Sequence, residues 1–414
     1  MRSNSEDVAI FNLRLALRNI LRHRTRSLIA LSAIGFSLIA LLLAGGFVEW
    51  IFWATREAAI QTGLGHIRVV RPGYQESGIA NPFSYLLPNG SPELSALEAM
   101  PEVKMITPRL NVSGLISHGD ATLSFVGEGV DPKKESSVSR VLYMNQGEGL
   151  SVQDPRGIVL GRGLAANLGV KPGDNVVLLA TSASRGINAV EAHVRGLFST
   201  DAKAYDDIAL RMPIVMAREI LKVSGSHLWV VALDRTDNTT DLLKRFQKQF
   251  KMAKLQFIPW YDLSDFFNKT VALLSSQMNV VRLMIGLIIV LSISNMLIMN
   301  VLERTGEIGT LMAMGTRRRQ ILALFLSEGL MLGLVGGTLG LIVGLALAQI
   351  ISAIGIPMPA PPGRSAGYSA EILLTWRLAA SSFALAVGTT LLASLYPAWK
   401  ASRLTIVDAL RHNR

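Results

Sequence analysis

The sequence predicts a membrane α-helical protein with four transmembrane helices and one large α/β extracytoplasmic domain. Three observations lead there. Only 17% of the 414 residues are charged while 50% are apolar, where a soluble domain carries about 25% charged residues. Four apolar runs are long enough to cross a hydrocarbon core, which takes roughly 20 residues as a helix. The basic residues gather beside those runs rather than along the whole chain.

The first run covers residues 27–48 and is uncharged until its end. It is too long for a signal-peptide core and 26 residues precede it, so it reads as an uncleaved anchor. The second covers 283–302 and the third 321–354, with Glu328 as its single charge. The fourth covers 378–399, bracketed by Arg377 and Lys400. The chain therefore divides into a leading segment (1–26), a first span, a stretch of ordinary polarity with its stalks (49–282), a second span, a short loop (303–320), a third span, a loop (355–377), a fourth span and a tail (400–414).

Lys and Arg near span ends mark the cytoplasmic side. The leading segment, the 303–320 loop and the tail hold fourteen Lys and Arg against five acidic residues, whereas residues 50–278 are nearly balanced. Both termini are thus expected in the cytoplasm, and the large domain outside. Topology accounts for the net charge of +11, so the charge gives no support to nucleic-acid binding. The absence of Cys excludes disulfides, thiolate metal sites and Cys nucleophiles.

Before the first span, Ile10, Leu13, Leu17, Ile20 and Leu21 recur at helical spacing with Arg14, Arg18 and Arg22 four residues apart. This predicts an amphipathic helix in the headgroup layer, either a plain anchor or an elbow coupled to a partner. Residues 49–62 and 262–282 lack Pro and contain no Gly, and extend the neighbouring spans as stalks.

The large domain reads as mixed α/β. A strand is expected at 65–71, a helix at 91–100, and strands at 106–116 and 121–126. The stretch IVLGRGLAANLGVKPGDNVVLLA, residues 158–180, gives strand, turn, short helix, turn and strand. Strands follow at 190–198 and 228–233 and a helix at 241–250. Two subdomains are expected, divided near residues 148–154.

No Gly-Lys dipeptide exists, hence no GxxxxGK[ST] phosphate loop, and no HExxH; the His are scattered. GRSAG matches the GxSxG pattern around Ser365, but it lies in a Pro-rich loop instead of a strand–turn–helix elbow. No catalytic and no metal-binding residue is assigned.

The third span carries Gly329, Gly333 and Gly337 on one stripe and Gly336, Gly340 and Gly344 on another. Small residues at this spacing admit close helix packing, within one subunit or across a dimer. Glu328 is expected to snorkel or to pair with a basic side chain. The loop ERTGEIGTLMAMGTRRRQ places Ile308, Leu311 and Met312 on one helical face. Glu303 and Glu307 would stack on another as like charges. Gly315 is placed to end the helix, and the Arg317–Arg319 triplet suits an anionic leaflet.

This loop resembles the ERTxEIGxLxAxG motif of the FtsX-like permease family of ABC transporters, through Glu303, Arg304, Thr305, Glu307, Ile308, Gly309, Leu311, Ala313 and Gly315. It departs from the family's commoner residues at Gly306 and Met312, where Arg is usual. The tail, with Pro397, Ala398, Ala401, Ser402 and Leu410, resembles the family's closing motif. Gly161, Ala165, Leu168, Gly169, Gly173 and Asp174 resemble the extracytoplasmic domain of MacB/LolCE-type members.

The resemblance implies Porter- and Sabre-like subdomains, a dimer of identical or different permease subunits, and a place in a bacterial inner membrane. It implies a separate ATPase subunit, carrying ATP and Mg, docked on a coupling helix formed by Glu303, Arg304, Glu307, Ile308, Gly309, Leu311, Met312 and Gly315. The chain itself would hold no cofactor and no enzyme site. Hydrolysis would move the outer domain, serving lipoprotein release or export of an amphipathic substrate, with membrane lipid and a periplasmic carrier or adaptor as further partners. The alternative is a transmembrane sensor or scaffold that regulates a partner ATPase or cell-envelope enzyme.

Overall fold

A computed structural model describes residues 24–78, 80–138, 143–200, 203–358 and 368–405. The amphipathic segment up to residue 23, Ser365 and the tail from residue 406, including Leu410, lie outside the described residues. The chain forms two compact units, one helical and one α/β.

The helical unit contains α1 (Arg24–Ala59) up to Phe52, α2 (Asp265–Glu303) from Thr270, a short α3 (Thr305–Ala313), α4 (Arg318–Ile354) and α5 (Trp376–Ser402); the outer ends of α1 and α2, residues 53–59 and 265–269, belong to the α/β unit. All but α3 are long and apolar enough to cross a membrane. At 1.5 Å per residue the 36 residues of α1 reach about 54 Å, well beyond a hydrocarbon core of about 30 Å.

The helices meet through residues four apart. Ile34, Leu38 and Leu42 of α1 and Ile289, Ile293 and Leu297 of α2 enter one core with Leu332 of α4 and Ala386 and Ala393 of α5. Ile29, Phe36, Leu283, Leu287, Leu291 and Ile342 face outward. Lipid solvates such side chains as well as a neighbouring helix does, so fit and hydrogen bonds must hold the bundle. Ser294 Oγ donates to the Ala393 carbonyl at 2.8 Å, joining α2 to α5.

The two glycine stripes of α4 have separate partners within this chain. Gly329, Gly333 and Gly337 lie against Ser394, Thr390 and Phe383 of α5. Gly336, Gly340 and Gly344 lie against Ile34, Gly35 and Leu42 of α1. At Gly340 the approach is backbone to backbone: an added Cβ would stand 2.8 Å from the Gly35 carbonyl oxygen and 2.9 Å from its Cα. On α5, Trp376 is exposed, and Trp399 stacks on Tyr396 with Arg403 4.6 Å from its ring centroid. These tryptophans are about 35 Å apart along the helix, the separation of two interfacial aromatic belts.

The α/β unit is built on strands β1 (Ile67–Val70), β2 (Val103–His118), β3 (Ala121–Val130), β4 (Tyr143–Gly147), β5 (Gly157–Gly161), β6 (Asn175–Thr181), β7 (Ile187–Ser199), β8 (Ala209–Pro213), β9 (Leu228–Leu233) and β10 (Gln256–Pro259). Their order is β10-β1-β9-β2-β3-β8-β5-β7-β4, with β6 paired to β2 and β7.

Strand β2 serves two cores. Its first half, to Arg109, pairs with β9; from Leu110 it pairs with β3. Ile67, Val69, Val103, Trp229 and Val231 fill one core with Phe246 and Phe257. Leu110, Val112, Phe125, Leu160, Leu178 and Leu210 fill the other with Ile214 and Ile220. The subdomain boundary is therefore not at residues 148–154. It runs through the middle of β2 and is recrossed just before β9. The 148–154 loop is tied to β7, where Arg195 holds Glu148 at 2.5 Å, the Gly149 carbonyl at 2.9 Å and Asp154 at 2.7 Å. Its Gly149, Ser151 and Asp154 mark a turn, not a domain edge.

Two buried histidines tie strands together as acceptors. His66 Nδ1 accepts from the Leu233 amide at 3.1 Å, and His227 Nδ1 from the Asn111 amide at 3.0 Å. Burial lowers both to about 4.

Gly340→Ala should destabilise the bundle by about 1–3 kcal/mol through overpacking. Gly388→Ala, on α5 with nothing within 4 Å of an added Cβ, should raise stability by about 0.5–1 kcal/mol through helix propensity. Thermal melting in detergent compares them. Because the unfolded chain takes up protons at both histidines first, domain stability should be full above about pH 6.5 and fall as the pH drops towards 4. The loss should approach about 3 kcal/mol per ring, read by amide hydrogen exchange in the α/β domain across that range.

Candidate functional site

The connector between α2 and α4 carries the residues singled out in the sequence. The long helix α2 ends at Glu303, because Arg304 leaves helical geometry at φ −99° and ψ 16°. The chain restarts at once as α3. Thr305 Oγ1 spans the break, donating to the Val301 and Leu302 carbonyls at 2.9 and 2.8 Å. Gly315 ends the element at φ +95°, a left-handed conformation that a side chain disfavours. The next helix starts at once: Gln320 accepts from the Arg317 amide at 2.8 Å.

This break separates the two acidic residues that a continuous helix would have stacked. Glu303 pairs with Arg26 of α1. Glu307 accepts from Arg304 Nε at 3.0 Å. Arg304 also reaches Glu328 of α4, 3.8 Å away, so the buried acid of the third span has a basic partner. The like-charge cost expected from the sequence is met by cations of the same chain.

The apolar face of α3 points inward. Ile308 is buried with Val301, Ile321, Phe325, Ala398 and Ala401, and Met312 packs on that cluster from its edge. Thr305 and Gly309 are buried too. Leu311 is half-buried. Glu307, Thr310 and Ala313 are exposed, and Met314 stands 72% exposed at the end of the helix. Arg317, Arg318 and Arg319 are exposed beside it.

The segment that the sequence singled out holds two kinds of residue. Ile308 and Gly309 fasten the connector to the bundle, while the outward surface centres on Met314, which was not among those singled out. A helical wheel would have found it, since 307, 310, 311 and 314 share one side. No local signal announces Arg26 as the partner of Glu303, 277 residues away.

A second charged cluster lies in the α/β unit. Arg109 contacts Glu128 at 2.8 Å and Glu135 at 2.9 Å; Arg211 contacts the same two acids at 3.4 and 2.6 Å. Burial pushes the Glu128 carboxyl up, but Arg109, Arg211 and Arg68 together hold it below the usual range. Burial works against the Arg211 charge as well, and Glu128 and Glu135 raise it on balance. Gly63, at φ +123°, lets Arg109 approach, since an added Cβ would stand 2.6 Å from the guanidinium. None of these residues was singled out in the sequence.

Comparison with known proteins places this arrangement. Residues 27–249, over half of the chain, match the MacB-like periplasmic core domain, and residues 279–406 match the FtsX-like permease C-terminal model. The chain belongs to the FtsX-like ABC transporter permeases with a MacB-like periplasmic domain, and is a multi-pass membrane protein. It is 24% identical to the lipoprotein-releasing system transmembrane protein LolE of Haemophilus influenzae, covering 76% of this chain and 79% of that one. It is 27% identical to the macrolide export ATP-binding/permease protein MacB of Brucella abortus, over 91% of this chain and 56% of the relative's length. It is 26% identical to the ABC transporter permease YvrN of Bacillus subtilis, over 97% and 99% of the two chains. The periplasmic region of MacB from Actinobacillus actinomycetemcomitans matches 51% of this chain and 94% of that structure, at 16% identity and a TM-score of 0.36.

Ile308→Ala should cost about 2–5 kcal/mol of bundle stability, because it empties a buried site. Met314→Ala should stay within about 0.5 kcal/mol of the parent, as an exposed change. Thermal unfolding followed by tryptophan fluorescence separates the two.

Proposed function

We propose that this chain is the permease subunit of an ABC transporter in which a separate ATPase subunit docks on the connector helix α3. The observation that carries the reading is a short helix fixed on one side and exposed on the other. Ile308 locks it to α2, α4 and α5, while Met314 and the adjacent Arg317–Arg319 stand free of the bundle core. An exposed methionine is a soft, adaptable contact suited to a partner's groove. The basic triplet and the span-end Arg residues support a cytoplasmic position for this end by the positive-inside rule.

ATP and Mg belong to the partner in this reading, since no phosphate loop occurs in the chain. Closure of two ATPase subunits would push on two connectors, so the permease acts as a dimer, of identical or of different subunits, in a bacterial inner membrane with the α/β domain in the periplasm. Helices α1 and α2 exceed the length a bilayer needs, and both continue in sequence into that domain. They would convert movement of the connector into movement of the domain. The relatives named for lipoprotein release and macrolide export support an amphipathic molecule as the cargo.

Co-purification with the candidate ATPase tests this. Met314→Asp should reduce complex recovery at least tenfold while the melting temperature of the free permease is unchanged. Full recovery of the complex with Met314→Asp and with Leu311→Asp would remove the connector as the docking point.

A further inference from the structure

The α/β unit contains a cavity of about 710 Å³, within the roughly 300–1,000 Å³ range of pockets that take small ligands. Ala58, Ala59, Leu64, Leu263 and Phe266 give it apolar walls. Arg68 reaches it from β1, next to the buried ring of Arg109, Glu128, Glu135 and Arg211.

That ring closes on itself, with two guanidiniums against two carboxylates. Arg68 is the third cation, and no carboxylate lies within 4 Å of it among the described residues. Its Nε is buried and makes no hydrogen bond. The register explains why. Arg68 stands opposite Ile258 of β10 and Val230 of β9, so both cross-strand neighbours are apolar. Burial lowers its pKa, with Glu128 only partly offsetting that. A guanidinium loses hydration on burial and normally recovers it through acceptors. Arg68 also lines the cavity, where a bound oxyanion would supply acceptors.

We propose that this cavity binds a singly charged, oxyanion-headed amphiphile, with Arg68 holding the head and the apolar wall holding one acyl chain. Asp265 and Glu128, which also line the cavity, repel multiply charged anions and narrow the class to heads such as a carboxylate or a phosphodiester. The volume suits one chain with its head, not a two-chain lipid. The site is independent of the connector, so it stands or falls whether or not Met314 meets an ATPase.

The test uses the full chain purified in a neutral maltoside detergent. Dodecanoate and lauroyl-lysophosphatidylglycerol are titrated by native mass spectrometry and thermal melting, with dodecanol and inorganic phosphate as controls. One-to-one binding of at least one charged amphiphile, above both controls, is the expected result; which one binds tells a carboxylate ligand from a phosphodiester. Arg68→Gln should weaken binding at least tenfold, yet melt at or above the ligand-free parent, since it removes an unsatisfied buried charge. Ala59→Phe, which narrows the cavity and keeps the arginine, should also lose binding. Equal binding of dodecanol and the charged probes would overturn the proposal. So would undiminished binding in both variants, or a ligand-free Arg68→Gln that melts several degrees lower, the mark of an arginine serving the fold.

Discussion

Helices in lipid gain little from burying apolar side chains against each other, so this bundle depends on how closely its backbones can approach. Helix α4 supplies that approach on two sides. One glycine stripe admits α5 and the other, offset around the helix, admits α1. Gly340 against Gly35 is the tightest backbone approach to α1. With α4 seated between two neighbours, its start and the end of α2 are brought to one place, and the connector α3 is folded onto the cluster of Val301, Ile321, Phe325 and Ala398. The position of the candidate docking surface is thus a product of small residues well along α4.

Much of this was legible in the sequence because hydrophobic length and charge bias are local signals. The four spans, the connector and the strand–helix–strand unit at 158–180 each announce themselves within a window of some twenty residues. The glycine stripes were legible as packing surfaces, but their partners were not, since spacing on one helix says nothing about which helix meets it. The inward turn of Ile308 was hidden for the same reason. An amphipathic helix read alone shows which face is apolar, and only the neighbouring helices decide whether that face is already covered.

The α/β domain hid more. Strand β2 is one unbroken run in the sequence, yet it changes partner and core at Arg109 and Leu110. A boundary inside a strand leaves no turn residues behind, whereas the 148–154 loop, with its turn residues, is held to β7 by Arg195. The buried ring of Arg109, Arg211, Glu128 and Glu135 joins residues from three strands and a short helix spread over a hundred positions. Charges in strand-like stretches normally read as solvent-facing, and nothing in their spacing marks these as interior.

The anchoring of Ile308 has a mechanical consequence. With that side chain seated among residues of α2, α4 and α5, the connector has no swivel of its own. A load applied at Met314 cannot be absorbed by rolling a loose segment; it arrives as torque on the whole helical assembly.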